Sequence, residues 1–136
     1  MLANPTPVNA FMEMKLELVP VPVTDIDRAK TFYAEQVGFK LDHDVRPSPT
    51  VRVVQLTPPG SGCSIVLSEG LFGLAMPVGC LRGLHLVVAD IAQARAEMAG
   101  RGVPMGEIQD LGGGMKYAGF QDPDGNTWTL QEMPRK

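Results

Sequence analysis

The sequence offers few residues for acid–base or metal chemistry. Its only two histidines are His43 and His85, and histidine is the side chain that ordinarily titrates near neutral pH. His43 lies in the run Asp42-His43-Asp44, but consecutive strand residues point to opposite faces and do not converge simply. We therefore interpret this run as a solvated strand edge. His85 is the candidate ligand hydrogen-bonder or weak general base; the alternative is an ordinary hydrogen-bonded core histidine.

Other catalytic signatures find no support in the sequence. No nucleophile-elbow motif accompanies a serine or cysteine, so Ser-His-Asp and Cys-His catalysis are not expected. The loop at residues 110–115 is rich in glycine, but it lacks the strand-to-helix context of a phosphate-binding loop and is predicted to form a hairpin. The spacing of Cys63 and Cys80 does not require a disulfide, which favours two reduced thiols in a cytoplasmic protein.

Length, composition and charge narrow the class of protein. The chain has 136 residues, of which 44% are hydrophobic, and this suits one globular domain with its own core. The net charge is -3 and the 12 lysines and arginines are scattered, so neither nucleic acid nor an anionic membrane is expected as a partner. Residues 1–13 contain no long apolar run, and we interpret them as an N-terminal extension without a signal peptide or membrane helix.

The rest of the chain repeats itself. Val23-Thr24-Asp25-Ile26 is matched by Val88-Ala89-Asp90-Ile91 at an offset of 65 residues. The same offset relates Pro58-Pro59-Gly60 to Pro123-Asp124-Gly125. A shared offset at both ends of a unit indicates an internal duplication. We expect one domain over residues 14–134, with a first module at about 14–70, a linker at 71–81 and a second module at about 82–133.

Each module is predicted to contain one strand, one helix and three further strands. The first helix follows a capping box formed by Thr24 and Asp27 and ends at Gly38, while the second begins at Asp90 with Gln93 in the box position. Valine-rich and alternating segments indicate the strands. The predicted strands are 16–23, 40–45, 51–57 and 64–68 in the first module, and 84–88, 105–109, 115–121 and 127–132 in the second.

Four segments of the sequence resemble the vicinal oxygen chelate superfamily, which includes glyoxalases, bleomycin-binding proteins, fosfomycin-resistance transferases and extradiol dioxygenases. These segments are residues 21–25, 29–33, 37–39 and 120–126, and the resemblance covers roughly residues 15–134. It implies an α+β fold in which two βαβββ modules form a curved mixed sheet with a concave cleft. Fold alone does not decide activity, because this fold hosts very different chemistries.

Enzymes of the superfamily usually hold one divalent metal on the concave face, with ligands from the first and last strand of each module. Counting from the capping aspartates and the second turn places these positions at Leu18, Val66, Gly83 and Thr129. Leucine, valine and glycine have no side-chain donor, and a neutral threonine hydroxyl is a poor sole anchor. We therefore expect neither a metal nor another cofactor.

Within this family frame, strand alternation assigns residues to the concave face. The expected cleft is largely apolar, and Trp128 is expected in the core. A few polar groups on apolar walls are typical of an organic-ligand site. The ligand-binding candidates are Gln55, Ser64, His85, Thr129 and Gln131.

These observations favour a metal-free protein that binds, and thereby sequesters or processes, a small organic metabolite or drug. Three alternatives stay open: a metal-free glyoxalase-like lyase or isomerase using His85, a metal-dependent lyase or dioxygenase whose ligands are misplaced by the count, and a subunit that acts through protein contacts. We also expect a homodimer, because the linker segment 71–78 is strongly apolar and must be covered. Either a second chain or the chain's own core covers Phe72 and Leu74.

Overall fold

The computed structural model describes residues 11–71 and 73–134, and it contains the two predicted modules. Each module forms a four-stranded mixed sheet accompanied by one helical segment, which confirms the α+β fold class. The first module consists of β1 (Leu18–Pro20), α1 (Ile26–Thr31) with a π-helical continuation (Phe32–Val37), β2 (Lys40–Ser48), β3 (Val51–Thr57) and β4 (Ser64–Glu69). The second consists of β5 (Leu84–Val87), α2 (Ile91–Gly100), β6 (Gln109–Asp110), β7 (Lys116–Gln121) and β8 (Thr127–Glu132).

The two sheets have the same topology. The strand orders are β1-β4-β3-β2 and β5-β8-β7-β6. In each sheet the first strand pairs in parallel with the last, and the other neighbours are antiparallel. Within the described residues, the ladder divides into these two sheets, so β1 and β5 are both edge strands. The repeat detected in the sequence is thus a repeat of whole sheets.

The caps of the two helices differ in one respect from expectation. Asp25, and not Thr24, is the N-cap of α1, because its side chain accepts a hydrogen bond from the Arg28 backbone N–H. The Thr24 hydroxyl instead donates to Asp124 at 2.7 Å. In the second module the prediction was right, since the Asp90 side chain accepts from the backbone N–H of Gln93. The two modules therefore use the same aspartate position as the helix cap.

Two predicted strands are much shorter than expected. β1 pairs only over Leu18–Pro20, although residues 16–23 were predicted. Pro22 has no backbone N–H to donate, so it cannot continue a regular ladder. The predicted strand 105–109 pairs only at Gln109 and Asp110, while Gly106 makes an isolated backbone bond to the Gly119 carbonyl. The other strands agree to within a few residues at each end.

One hydrophobic core joins the two modules. The Trp128 ring of β8 lies 5.6 Å from Phe39 and 5.7 Å from Tyr33, measured between ring centroids, and both partners come from the first module. Phe120 of β7 stacks on Trp128 with a centroid distance of 6.1 Å. Gly38, which ends the first helix, has a φ of 102°, as predicted for a left-handed C-terminal residue. No helix in the described part of the chain is long and apolar enough to cross a membrane.

Candidate functional site

His85 lies on the face of the second sheet that points away from the core. Its neighbours Leu84 and Leu86 pack against the core cluster, whereas His85 itself is exposed. The Nδ1 atom is 2.6 Å from the Gly83 carbonyl oxygen, and the ring meets the Tyr117 ring edge-on at a centroid distance of 5.6 Å. Tyr117 was not among the predicted site residues, although it lies on the outward face of β7, directly opposite Gln131 of β8.

Thr129 and Gln131 share this outward face with His85. In the parallel register Thr129 is directly opposite His85, and Gln131 is opposite Val87. Thr129 also lines a surface depression of about 520 Å³ together with Gly119 and Thr127. The second sheet thus brings three of the five predicted ligand-binding residues side by side.

Gln55 and Ser64 are neighbours on the first sheet. The Gln55 Nε2 atom is 3.4 Å from the Ser64 Oγ, and the Ser64 Oγ is 2.6 Å from the Thr57 Oγ1. The Thr57 hydroxyl in turn donates to the Asp42 carboxylate. The register of β2 against β3 shifts between Leu41 and His43, and such a bulge re-aims a side chain. Asp42 therefore reaches this polar chain, which simple alternation could not predict.

A cavity of about 280 Å³ lies where the two sheets meet, and we call it the seam cavity. It brings Ser64 of the first module and His85 of the second to one space, while Gln55, Thr129 and Gln131 lie outside its lining. Trp128 forms part of its wall. Its complete lining is Leu16, Val19, Pro58, Ser61, Cys63, Ser64, Ile65, Leu84, His85, Leu86 and Trp128.

A larger cavity of about 440 Å³ lies between the helices and contains none of the five candidates. Its lining includes Phe39, Met98 and Arg101. The Arg101 guanidinium donates to the backbone carbonyls of Gln36 and Val37 at 2.7 and 3.2 Å, so it joins the two modules and does not point freely into the cavity. We take the seam cavity as the candidate site because two of the five predicted ligand-binding residues, Ser64 and His85, meet there, one from each module.

The run Asp42-His43-Asp44 is not simply solvated. Asp44 accepts two hydrogen bonds from Arg52, at 3.0 and 2.8 Å, and one from Lys30 at 2.9 Å. The hydrogen bonds from Arg52 and then from Lys30 hold the pKa of the Asp44 carboxyl well below its usual range. All three residues were expected to be exposed to solvent. Only His43 is exposed and has no side-chain partner among the described residues.

The four positions where the superfamily would place metal ligands do not fit a divalent ion. Leu18 and Val66 lie on the first sheet, and Thr129 lies opposite His85 on the second. Gly83 has no side chain and adopts a φ of 71°. Among the described residues, no group of three or more His, Cys, Asp or Glu side chains is placed to hold a metal ion. The side chains at these positions offer a single oxygen, that of Thr129.

A buried hydrogen-bond network fixes Trp128, which walls the seam cavity. The Tyr33 hydroxyl donates to Asp122 Oδ2 at 2.7 Å and accepts from Trp128 Nε1 at 2.9 Å. Burial, and next the nearby Asp122 carboxylate, raise the pKa of the Tyr33 hydroxyl far above its usual value. The phenol is therefore a permanent neutral link between the modules.

Known proteins share this sequence pattern and fold. The sequence profile of the Glyoxalase/Bleomycin resistance protein/Dioxygenase superfamily matches residues 15–130. TnmS3, an antibiotic binding protein from Streptomyces sp. CB03234, is 36% identical, with a TM-score of 0.78 over 90% of this chain and 98% of that chain. No curated protein sequence matches.

Two further solved structures are similar. A glyoxalase/bleomycin resistance protein from the same Streptomyces strain is 38% identical, with a TM-score of 0.73 over 85% of this chain and 98% of that chain. A member of the superfamily from Sphaerobacter thermophilus DSM 20745 is 28% identical, with a TM-score of 0.75 over 90% of this chain and 99% of that chain.

Proposed function

Because the chain belongs to the Glyoxalase/Bleomycin resistance protein/Dioxygenase superfamily, we propose that it binds a small organic molecule at the seam cavity without a metal. The observation that carries this proposal is the meeting of Ser64 and His85, one from each module, in an otherwise mostly apolar cavity. Apolar walls with a few convergent polar groups are the usual composition of an organic-ligand site. The similarity to an antibiotic binding protein supports the same class of function.

We further propose that the protein works as a homodimer. The outward faces of both sheets carry exposed apolar side chains, among them Val87 at 65% and Val45 at 44%. Four large apolar side chains before β1 are also strongly exposed: Phe11, Met12, Met14 and Leu16. Contiguous exposed apolar surface on a small protein marks an interaction site. A second copy that covers these faces would also deepen the surface depression beside Thr129.

The linker contributes less to this argument than the sequence suggested. Leu74 and Met76 are half-buried in their own chain, whereas Val78 is exposed. Phe72, which was expected to be covered by a second chain or by its own core, lies outside the described residues.

Light scattering at micromolar concentration tests the dimer: we expect a mass of two chains, and a mass of one chain would refute it.

Ligand binding is tested with a panel of small, mostly apolar antibiotics, whose size suits a cavity of about 280 Å³. Trp128 is the only tryptophan and walls the cavity, so binding at the seam should change its fluorescence. The change should weaken or disappear in Ser64→Leu, which narrows the cavity and removes one of its two facing polar groups, and persist in the control Ser48→Leu on the β2–β3 side of the same sheet. Binding of the whole panel with no fluorescence change and no effect of Ser64→Leu would move the site elsewhere.

A second candidate function is metal-free proton-transfer catalysis by His85. The Gly83 carbonyl can only accept a hydrogen bond, so Nδ1 carries a proton, and in the neutral imidazole Nε2 then has a lone pair. That lone pair is what a general base needs. Turnover of a bound compound by the wild type, lost in His85→Gln while binding persists, would favour the enzyme; binding without turnover favours sequestration.

A further inference from the structure

The polar side-chain hydrogens around the seam cavity are all donated to other groups of the protein. Five polar side chains line this cavity, and each has one hydrogen that it could donate to a ligand. The direction of each hydrogen bond can be worked out from groups that can only accept. The five side chains are Ser61, Cys63, Ser64, His85 and Trp128.

The direction at Ser64 follows from Asp42. A carboxylate only accepts hydrogen bonds, so the Thr57 hydroxyl must donate its hydrogen to Asp42. Thr57 then has no hydrogen left for Ser64, and the 2.6 Å contact between their hydroxyl oxygens must use the Ser64 hydrogen. Gln55 Nε2 approaches both Asp42 Oδ2 and Ser64 Oγ at 3.4 Å, which fits a donor facing two acceptors. Ser64 therefore presents only lone pairs to the cavity.

The same reasoning holds at His85. Its Nδ1–H donates to the Gly83 carbonyl oxygen at 2.6 Å, and in a neutral imidazole the other nitrogen is then an acceptor. His85 and Ser64 come from different modules, so both modules contribute acceptors to the cavity.

The remaining three side chains also donate to other groups of the protein. Ser61 Oγ donates to the Cys63 carbonyl at 2.9 Å, and Cys63 Sγ donates to the Ser64 carbonyl at 3.7 Å. Trp128 Nε1 donates to the Tyr33 hydroxyl at 2.9 Å. Every side-chain donor of the seam cavity is thus used within the protein.

From this pattern we infer that the seam cavity selects ligands that donate hydrogen bonds: small, mostly apolar molecules with hydroxyl, amide N–H or protonated amine groups. This inference rests on the proposed binding function and names its ligand class. As long as the His85 imidazole is neutral, a carboxylate or phosphate would face the lone pairs of Ser64 and His85 with no side-chain hydrogen to receive it. A buried ligand carbonyl would lose its water without gaining a side-chain partner, which is costly.

A matched pair of rigid probes tests the inference. 9-Fluorenol and 9-fluorenone have nearly the same shape, but only the alcohol can donate a hydrogen bond, and fluorene has no polar group. Calorimetric titration should give fluorenol about tenfold tighter binding than fluorenone, the ratio expected when one hydrogen bond is made and one buried carbonyl is left unpaired. Fluorene should bind between the two.

Asp42→Asn tests the cause without touching the cavity. The carboxamide can donate a hydrogen bond to the Thr57 hydroxyl. Thr57 can then donate to Ser64, and the Ser64 hydrogen becomes free to donate to the ligand. The fluorenol-to-fluorenone ratio should fall to about threefold or less. As a control, Glu107→Gln removes one strongly exposed carboxylate that lies outside this series of hydrogen bonds, and it should leave the ratio unchanged. His85→Phe removes the second acceptor and should lower the ratio independently.

The outcomes separate this inference from the proposed function. If both probes bind equally well to the wild type, the cavity binds ligands but does not select donors, and the inference is wrong. If the ratio is large but survives both Asp42→Asn and His85→Phe, the committed hydrogens are not its cause, and the inference is again wrong. If neither probe nor fluorene binds, the seam cavity is not a ligand site, and the proposed function fails with it.

Discussion

The two turns that correspond in the repeat have different surroundings. Pro58-Pro59-Gly60 is followed by one backbone hydrogen bond, from Ser61 N–H to the Pro58 carbonyl, and Pro59 and Gly60 are exposed. The equivalent turn of the second module, residues 122–126, contains two of the most buried polar residues of the protein, Asp122 at 3% and Asn126 at 0% exposure. Equivalent turns of the repeat therefore differ strongly in burial and hydrogen bonding.

The buried turn is the joint between the modules. Asn126 Nδ2 donates to the Pro22 carbonyl at 2.9 Å, and Asp124 accepts from Thr24 at 2.7 Å and Arg28 at 3.2 Å. The first-module turn makes no such joint in the described structure, and Pro58 instead lines the seam cavity. The second-module turn thus holds the two modules together, whereas the first-module turn lines the candidate site.

The largest expected effect is at Trp128, which follows the buried turn and packs against aromatic residues of both modules. Trp128→Ala should reduce the free energy of unfolding by about 3–5 kcal/mol, the range for truncating a large buried aromatic. Trp128 packs on both modules and donates to Tyr33, so urea denaturation should show the loss directly. A loss below about 1 kcal/mol would mean that the tryptophan does not anchor the core.

The contrast between the turns is sharpened by removing one polar group from each. Asp122→Ala should cost about 2–4 kcal/mol, because it leaves the Tyr33 hydroxyl and the backbone N–H groups of Asp124 and Asn126 without their acceptor. Ser61→Ala, after the other turn, should cost about 0.5 kcal/mol or less, as is usual for an exposed site. Equal costs at the two turns would contradict the asymmetry.

The two helices differ in how they are attached to their sheets, and this difference should produce a smaller, pH-dependent effect on stability. α1 is tied to its sheet by ion pairs, with Arg52 between Asp27 and Asp44, whereas the backbone N–H of Ile91 in α2 donates to Glu132. Because the pKa of Asp44 is lowered in the folded state, its stabilising effect is present above the unfolded pKa of about 4 and is lost as pH falls below it.

Arg52→Met should therefore lower stability by about 1–2 kcal/mol at pH 7, a value between those of exposed and buried pairs. The difference from the wild type should shrink as pH falls from about 4 toward 2, because the wild type loses the same interaction. Urea midpoints measured across this pH range test the sign. A difference that stays constant with pH would show that Arg52 acts through packing alone.

The sequence predicted elements well where a strong local pattern was bounded by turn residues, and less well where a partner strand decides. The bounds of Val51–Thr57 and Thr127–Glu132 agree with the alternation of apolar and polar residues. Asp42 was missed as part of the site because its orientation depends on a bulge against β3. The direction of the Ser64 hydrogen bond depends on residues from three strands, and no local pattern in the sequence encodes it.

The smallest expected effect is that of divalent metal ions, and it tests a feature that the two modules share. Each module contributes two of the positions where superfamily enzymes place ligands, and Leu18, Val66 and Gly83 have no donor atom in their side chains. An ion that bound the folded state tightly would raise the thermal midpoint, by about 2.7 kcal/mol of stabilisation at a hundredfold excess over its Kd. We expect the same midpoint after chelator treatment and after addition of zinc or manganese. A stoichiometric ion, with a midpoint raised by several degrees and abolished by Thr129→Val, would show that metal binds where the side chains offer a single oxygen, and it would reopen the metal-dependent lyase and dioxygenase alternatives.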